Sequence, residues 1–205
     1  MKEIGLEFAE RAFQIETECL QEGFSHIDLD EFARAVDALA KAERIASSGC
    51  GHSGIACQHF AHLMCCIERP ARFISPAEAV HGAMGFVQEG DVMLLASRGG
   101  KTQELLPILD ISKARNATVI AVTENLESPL ATKADIVLKM YVNRETDRYN
   151  SQGTTSFTAL SVIFHALQSA LIEETGFVIG QFAQIHPGGA VGERLNKDKA
   201  DQATK

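Results

Sequence analysis

The sequence predicts an α/β protein, a three-layer αβα sandwich in which helices cover both faces of a five-stranded parallel sheet. Short apolar segments alternate with longer amphipathic ones along most of the chain, which is the pattern of strands connected by crossover helices. Two of the short segments, residues 92–95 and 119–122, are apolar throughout, as expected of strands buried on both faces. A length of 205 residues suits one domain of this kind with helical additions.

Two helices precede the first predicted strand. Apolar residues recur at helical spacing over residues 3–24 and again over residues 30–42. Because these helices come before the sheet begins, their apolar faces must pack either on the domain or on a partner subunit. We therefore treat residues 1–43 as N-terminal helices, residues 44–195 as the main domain and residues 196–205 as a flexible tail.

The main domain alternates strands and helices in chain order. The predicted strands span residues 45–47, 72–74, 92–96, 118–123 and 136–140. Ser75, Pro76 and Glu78 are the residue types of a capped helix start, which predicts a short helix that leads to His81. A long apolar helix is predicted for residues 154–175. Parallel strands joined by right-handed crossovers fit the strand order 2-1-3-4-5.

Turns rich in glycine and hydroxyl residues follow the first and third predicted strands, at residues 48–54 and 97–102. In this strand order the chain reverses direction between those two strands, so both turns should face one crevice. Adjacent glycines let backbone N–H groups approach a ligand, and each turn leads into the positive end of a helix dipole. The turns predict an anion site, most simply for phosphate. A plain tight connection between strand and helix is the alternative.

The first turn does not match a nucleotide-binding fingerprint. The first turn lacks the third glycine of a dinucleotide motif, and Ser75 and Pro76 stand where a ribose-binding acid would follow the second strand. No Gly-Lys-Ser or Gly-Lys-Thr sequence ends the first turn, so it is not a Walker loop either. A small molecule that carries one phosphate fits these turns better than a nucleotide does.

The composition argues against several kinds of partner. A formal net charge of −8 provides no basic face for nucleic acid. The first residues include acids where a signal peptide would be apolar, and no apolar run approaches about 18 residues. We therefore expect a cytoplasmic protein without membrane contact. Five cysteines, an odd number, favour free thiols over a disulfide framework.

One segment has residue types found in zinc sites. His59 and His62 lie one helical turn apart, with Cys65 and Cys66 next along the chain. The same segment carries apolar residues at core spacing, so buried neutral thiols are the preferred interpretation and we predict no metal. His165, between apolar residues of the last long helix, is expected to be a packed histidine.

Five motifs make the sequence similar to a known family. They are Gly49-Cys-Gly-His-Ser-Gly54, Pro76-Ala-Glu-Ala-Val-His-Gly82, Ser97-Arg-Gly-Gly-Lys-Thr102 with Glu104, Thr154-Thr-Ser156 and His186-Pro-Gly-Gly-Ala-Val-Gly192. From about residue 45 to residue 195 the sequence resembles a sugar isomerase (SIS) domain, most closely the D-arabinose 5-phosphate isomerase family. The last motif is the most specific, because His-Pro-Gly-Gly has no reason to occur in an ordinary α/β tail.

The resemblance implies a flavodoxin-like SIS fold and an enzyme that interconverts an aldose phosphate and a ketose phosphate through a cis-enediol. In such a reaction a base moves a proton between adjacent carbons while a second group handles the hydroxyl proton. The family also implies a homodimer or homotetramer with shared active sites, a sugar phosphate as ligand, and no cofactor. The CBS domains that often follow this domain are not in the sequence.

Carried over position by position, the resemblance assigns a role to residues in each motif. The implied catalytic residues are His52, His81, Glu145 and His186. The implied substrate-binding residues are Ser48, Gly51, Ser53, Ser97, Gly99, Gly100, Lys101, Thr102 and Thr155. His186 lies far along the chain and is a candidate for a neighbouring subunit's crevice.

Four of these residues also have a structural interpretation. His81 precedes a glycine and could end a helix, and His186 could bond a turn carbonyl. Glu145 lies in a run of charged residues and could belong to a solvated loop. Lys101 could serve only as a counter-charge to phosphate.

Three positions depart from the family pattern. His52 stands where the family has lysine, Lys101 stands where it has glutamate, and Gly99 replaces a serine. These changes leave open a sensor that binds a sugar phosphate without changing it. They also leave open an enzyme of another class, such as a phosphosugar lyase.

Overall fold

The structure, a computed structural model, describes residues 2–203, with side chains described for residues 2–197. Its five strands are β1 (Ile45–Gly49), β2 (Ala71–Phe73), β3 (Val92–Ala96), β4 (Thr118–Thr123) and β5 (Ile136–Lys139). They pair in parallel in the order β2-β1-β3-β4-β5. The predicted sheet and its strand order are confirmed.

Helices precede, connect and follow the strands. They are α1 (Glu3–Gly23), α2 (Leu29–Lys41), α3 (Gly51–Cys66), α4 (Pro76–Ala79), α5 (Leu106–Ala114), α6 (Pro129–Lys133), α7 (Thr155–Thr175), α8 (Ile179–Ile185) and α9 (Gly189–Ala203). Helix α5 does not follow the turn at residues 97–102 directly, because a 3-10 turn at Gln103–Leu105 lies between them. Because a proline lacks the N–H that an interior helix position needs, Pro107 fits only in the first turn of a helix.

Alternate strand residues point to opposite faces of the sheet, and each face has its own apolar core. One core contains Ile45, Leu94 and Val122 together with residues of α2, α3 and α7. The other core contains Ala46 and Met93 together with residues of α5 and α6. Helices therefore cover both faces, and the predicted αβα sandwich is confirmed.

Helix α2 belongs to the domain, whereas α1 is only partly covered. The side chain of Asp28 caps the start of α2, and Leu39 in the same helix is wholly buried. In α1 the buried residues are Ile15 and Cys19, while Phe13 is 80% exposed. Much of the apolar surface of α1 is thus left uncovered by its own chain.

Helix α7 lies at the centre of one helical layer. By length and composition it is apolar enough to cross a membrane, with a mean hydropathy of 1.4. It packs instead against α1, α2 and α3, and its Phe164, Leu167 and Leu171 are wholly buried. This burial is typical of a core helix in a globular domain.

The His-Pro-Gly-Gly motif separates the last two helices. A Cβ at Gly192 would lie 2.5 Å from the carbonyl oxygen of His186, so glycine at this position lets α9 approach the preceding turn. Helix α9 also includes residues 196–203, most of the segment predicted as a tail. The flexibility of that segment stays a prediction.

Candidate functional site

The two glycine-rich turns start side by side at the carboxyl edge of the sheet. Gly49, the last residue of β1, pairs with Ala96, the last residue of β3. Neighbouring strands lie about 4.8 Å apart, so the chain leaves the sheet at two adjacent points. We call residues 49–54 the first turn and residues 97–102 the second turn.

The first turn is packed so closely that only glycine fits at two of its positions. A Cβ at Gly54 would lie 2.6 Å from the Gly49 carbonyl oxygen, and one at Gly49 would lie 2.9 Å from the Ser53 carbonyl group. Gly51, with φ +55°, already begins α3, which therefore starts earlier than predicted. No side chain in the described part of the molecule caps this helix, so the N–H groups of its first turn have no side-chain acceptor there.

The second turn is closed by hydrogen bonds among its own residues. The hydroxyl oxygens of Ser97 and Thr102 are 2.8 Å apart, and the Gly100 N–H donates to the Ser97 hydroxyl over 3.1 Å. Gly100 has φ +64°, and a Cβ there would lie 2.0 Å from the hydroxyl oxygen of Ser128. The turn therefore needs glycine at position 100 for both its backbone conformation and its packing.

Closure of the second turn leaves backbone donors free. The N–H groups of Gly99, Lys101 and Thr102 meet no hydrogen-bond acceptor among the described residues. Successive backbone N–H groups in a turn form an anion-binding concavity. Together with the uncapped start of α3, they give the carboxyl edge of the sheet two adjacent sets of donors for an anion.

A crevice of about 630 Å³ opens beside the first turn. The residues that line it are Gly49, Cys50, Gly51, Gly54, Ile55, Gln58, Phe73, Ser75, Pro76, Ala77, Val80, His81, Glu104 and Pro107. Of the predicted site residues, Gly51 and His81 are among them. The second turn itself is not part of the lining, although Glu104 follows it within two residues.

Three ionisable side chains share this crevice, those of Cys50, His81 and Glu104. Burial raises the pKa of the Cys50 thiol, and the negative charge of Glu104 raises it further. Gly82, with φ +106°, turns the chain directly after His81. An imidazole and a carboxylate in one open crevice are the groups that proton transfer requires.

Two of these side chains were given no role by sequence reasoning. Glu104 is part of the motif that carries the family resemblance, and its position two residues after Thr102 was the available signal. The sequence gives no indication of a functional role for Cys50, because a cysteine between two glycines is equally compatible with a small residue that only completes a turn.

Glu145 is 2% exposed, so it is not a solvated loop residue. One carboxylate oxygen accepts a hydrogen bond from Arg98 over 2.6 Å, and the other accepts from the N–H groups of Thr154 and Ser156 over 2.9 and 3.2 Å. Burial alone would raise the pKa of Glu145, but the hydrogen bonds from Ser156 and the charge of Arg98 outweigh it and lower that pKa. Glu145 is thus a carboxylate that satisfies the backbone at the start of α7.

Arg98 connects this carboxylate to the second turn. Its Nε donates to Glu124 over 2.8 Å, and its backbone carbonyl accepts a hydrogen bond from the Thr123 hydroxyl over 2.9 Å. The same guanidinium reaches Glu145 through Nη1. One arginine therefore joins the second turn, the end of β4 and the start of α7.

Three other predicted site residues lie outside the crevice lining. His52 is exposed and packs edge-to-face on Phe157, with ring centroids 6.5 Å apart. Its ring also lies against the backbone of Gly153, where a Cβ would come within 2.4 Å of Nδ1. Lys101 is exposed. Thr155 is buried, and its hydroxyl has no hydrogen-bond partner among the described residues.

The remaining predicted residues are held by local contacts. Ser48 is wholly buried and donates its hydroxyl to the Ile74 carbonyl over 2.7 Å. Ser53 lies half-buried in the first turn of α3. His186 packs on Phe182 with ring centroids 4.8 Å apart, and its Nδ1 is buried without a partner in the described chain. No contact within that part of the chain joins His186 to the crevice.

No set of three His, Cys, Asp or Glu side chains comes together as a metal site within the described residues. Accordingly, His59 and His62 form no such cluster with Cys65 and Cys66. All five cysteines are free thiols. The preferred interpretation of buried thiols is wrong for two of them, because Cys65 is exposed and Cys66 is only half-buried.

A family model for the SIS domain matches residues 38–170 of this chain. The arabinose 5-phosphate isomerase KdsD of Pseudomonas aeruginosa is 36% identical over 188 residues, which are 91% of this chain and 57% of that protein. The chain therefore spans little more than half the length of this relative.

Two solved structures resemble the chain closely. A protein from Listeria monocytogenes superposes with a TM-score of 0.88 at 34% identity, over 92% of this chain and 100% of that one. An Escherichia coli protein in complex with a sugar phosphate superposes with a TM-score of 0.85 at 28% identity, over 91% of this chain and 100% of that one. Both share the arrangement of sheet and helices described above.

Proposed function

Because the chain belongs to the SIS domain family, we propose that it is a sugar-phosphate aldose–ketose isomerase, with arabinose 5-phosphate and ribulose 5-phosphate as the expected pair. The Pseudomonas aeruginosa relative bears the name of this activity, and the similar Escherichia coli structure holds a sugar phosphate. The proposal depends on one observation above all. Open backbone donors of two adjacent turns adjoin a crevice that contains the imidazole of His81 and the carboxylate of Glu104.

The two turns are the proposed phosphate site. The N–H groups of Gly99, Lys101 and Thr102, together with those at the start of α3, have no acceptor in the described chain and can donate to phosphate oxygens. The exposed ammonium group of Lys101 adds a positive charge beside them. A phosphate bound there leaves the sugar to extend into the crevice.

The proposed chemistry is a proton transfer between two adjacent carbons. Glu104 removes the proton from C2 of the aldose while the carbonyl oxygen at C1 gains a proton, which gives the cis-enediol. The same carboxyl group returns its proton to C1 as the C2 hydroxyl loses its proton and becomes the ketose carbonyl. His81 is the proposed carrier of the hydroxyl proton between the two oxygens. No atom is gained or lost and no cofactor is required.

Other predicted site residues take supporting roles in this proposal. Glu145 is a positioning residue, because both of its oxygens are engaged by Arg98 and by the start of α7. His52 packs where α3 and α7 begin and shapes the rim of the first turn. Thr155, whose buried hydroxyl has no partner in the described chain, remains a candidate for substrate binding.

Isotope exchange tests the proposed activity. The full chain is incubated in heavy water with arabinose 5-phosphate, ribulose 5-phosphate or a hexose 6-phosphate, and proton NMR follows C1 and C2. We expect interconversion of the pentose phosphates with incorporation of deuterium at these carbons. Saturable binding without exchange would identify a sensor instead. If neither exchange nor binding occurs with any of these sugars, both functions are excluded.

The sensor is the second candidate, and one observation favours it. At the two positions where the family has lysine and glutamate, His52 packs on Phe157 and Lys101 is exposed, and neither lines the crevice. The ionisable groups implied by the family are therefore absent from those positions. Isomerase activity therefore requires that Glu104 and His81 carry out the proton transfers that the family's lysine and glutamate would otherwise perform.

We also propose that the chain forms a homo-oligomer through the exposed apolar face of α1. Phe13 is 80% exposed, Leu20 36% and, directly after the helix, Phe24 68%. A cavity of about 80 Å³ beside this face is lined mostly by apolar side chains. Contiguous apolar surface of this kind marks an interaction site in soluble proteins. A second copy would cover it, and in such an oligomer His186 is the proposed residue that serves a neighbouring subunit's crevice.

The Phe13→Glu variant is expected to dissociate this oligomer, because burying a carboxylate at an apolar contact costs far more than burying a ring. Light scattering coupled to size-exclusion chromatography should show the mass of one chain for the variant and a multiple of it for the wild type. Gln14→Glu adds the same charge on the neighbouring face of α1 and should leave the oligomer intact. A monomeric wild type, or equal dissociation by both changes, would contradict the proposed surface.

Localisation in the cytoplasm is part of the same proposal. All five cysteine side chains are free thiols, a state that a reducing compartment maintains.

A further inference from the structure

Two histidines from different helices meet on the surface of the αβα sandwich. His59 lies on α3 and His165 on α7, and their Nε2 atoms are 3.2 Å apart. The rings are perpendicular, with centroids 5.4 Å apart. The sequence pairs His59 with His62 on the same helix and predicts that His165 is a packed core residue. The structure instead leaves His165 exposed and brings it to His59 across 106 positions of sequence.

The separation of the two nitrogens matches that of two ligands on one metal ion. Imidazole nitrogens bind zinc at about 2.0–2.1 Å in tetrahedral geometry, which sets them about 3.3–3.4 Å apart. We propose that His59 and His165 together bind one divalent transition-metal ion through their Nε2 atoms. In the absence of metal the two nitrogens can share only one hydrogen bond, for which one ring donates and the other accepts.

The surroundings leave room for the rest of the coordination shell. The pair opens into a concavity of about 440 Å³ lined also by Phe157, Thr158, Ser161 and Val162. The Ser161 hydroxyl donates to the Phe157 carbonyl over 2.8 Å, so its oxygen remains free to accept a hydrogen bond from a metal-bound water. The same holds for the Thr158 hydroxyl, which donates to Glu16 over 3.0 Å.

A negatively charged side chain next to the histidine pair also favours the binding of a cation. Glu16, hydrogen-bonded to Thr158, brings a carboxylate to the edge of the concavity.

The ligand set predicts the type of metal and the order of affinities. No third His, Cys, Asp or Glu completes the site within the described chain, so water must fill the other positions. Imidazole suits zinc, copper and nickel, and copper(II) binds most tightly among the divalent ions of this series. Magnesium and calcium prefer oxygen ligands and are not expected to bind.

A metal at this position would join the two helices that carry the candidate site. Helix α3 begins in the first turn, and α7 begins at the residues held by Glu145. Their starts already touch through His52 and Phe157, and the histidine pair lies about two turns further along both helices. Metal binding is therefore expected to restrain α3 against α7.

Calorimetric titration of the full chain, free of any affinity tag, with copper chloride or zinc chloride alone tests the proposal. We expect one ion per chain and an affinity at least 10-fold lower in His59→Gln and in His165→Gln. His62→Gln removes a histidine one helical turn away and should bind as the wild type does. The melting temperature of the wild type should rise with metal and return after chelation, and those of the two affected variants should not change.

Several outcomes would overturn the site. One is the lack of saturable binding of one ion per wild-type chain. Another is a loss of metal affinity in His62→Gln as large as that in His59→Gln and His165→Gln. A third is an unchanged metal affinity in both His59→Gln and His165→Gln. Cys65 is exposed and Cys66 half-exposed, so a variant with serine at both positions must retain the binding. Circular dichroism establishes that each variant is folded. None of these readouts depends on isomerase activity.

Discussion

The Glu104→Gln variant is expected to lose about 100-fold to 10,000-fold in kcat for pentose phosphate isomerisation, because a general base typically contributes this much. Glutamine keeps the shape and the hydrogen-bonding reach of the side chain but cannot take up a carbon-bound proton. Glu104 is exposed in the crevice, so the free energy of unfolding should remain close to that of the wild type. Coupled assays of kcat and KM, together with deuterium exchange at C1 and C2, measure the effect.

A matched variant separates loss of the base from loss of charge. Glu173→Gln removes an equivalent exposed carboxylate from the far end of α7 and should leave kcat unchanged. A kcat for Glu104→Gln within about 3-fold of the wild-type value would exclude Glu104 as the base. Normal sugar-phosphate binding by that variant, seen with the kcat loss, would show that the phosphate site is intact.

The Glu145→Gln variant is expected to lower the free energy of unfolding by about 3 kcal/mol, the cost of breaking a buried ion pair from one side. The Glu145 side chain is 3% exposed and faces Arg98 on one oxygen and backbone N–H groups on the other. An amide group in either orientation turns its NH2 towards one of these donors. Chemical denaturation followed by circular dichroism measures the change.

Glu124→Gln is the control for this variant, because it removes the other carboxylate bound to Arg98. That ion pair is 2.8 Å long but the Glu124 side chain is 37% exposed, and such pairs contribute about 0–1 kcal/mol. A loss of stability in Glu145→Gln no larger than that in Glu124→Gln would contradict the role assigned to Glu145.

The same carboxylate should make stability depend on pH. The folded state lowers the pKa of Glu145, so its contribution is fully present above the unfolded value of about 4.3. The contribution is lost as pH falls through the lower folded-state pKa. Between pH 5 and more acidic conditions, the wild type should therefore lose stability more steeply than Glu145→Gln does.

Sequence reasoning located the sheet and the turns because their signals are local. Apolar runs mark the buried strands β3 and β4, and glycines mark the places where backbone must approach backbone. Gly54 and Gly100 illustrate this, since a Cβ at either position would collide with a neighbouring atom. The strand order 2-1-3-4-5 is one of those that right-handed parallel connections allow.

Sequence reasoning separated the acidic residues less well. It assigned chemistry to Glu145, whose carboxylate the fold surrounds with donors, and left Glu104 as part of a motif without a role. The hydrogen bond between Arg98 and Glu145 spans 47 positions, and that between His59 and His165 spans 106. Patterns among neighbouring residues of the sequence cannot predict contacts between residues so far apart along the chain.

The amino-acid sequence by itself determined the αβα sandwich, a strand order compatible with its connections and the positions of two turns rich in glycine and hydroxyl residues. Only the tertiary structure decided which side chains enter the crevice, which carboxylate is buried and satisfied, and which histidines meet. The physical reason is that burial and hydrogen-bond partners depend on segments that become neighbours only when the sheet and its two helical layers assemble. Hydrophobic periodicity and the residue types of turns are properties of a few consecutive residues, so they can be recognised in the sequence without knowledge of the tertiary structure.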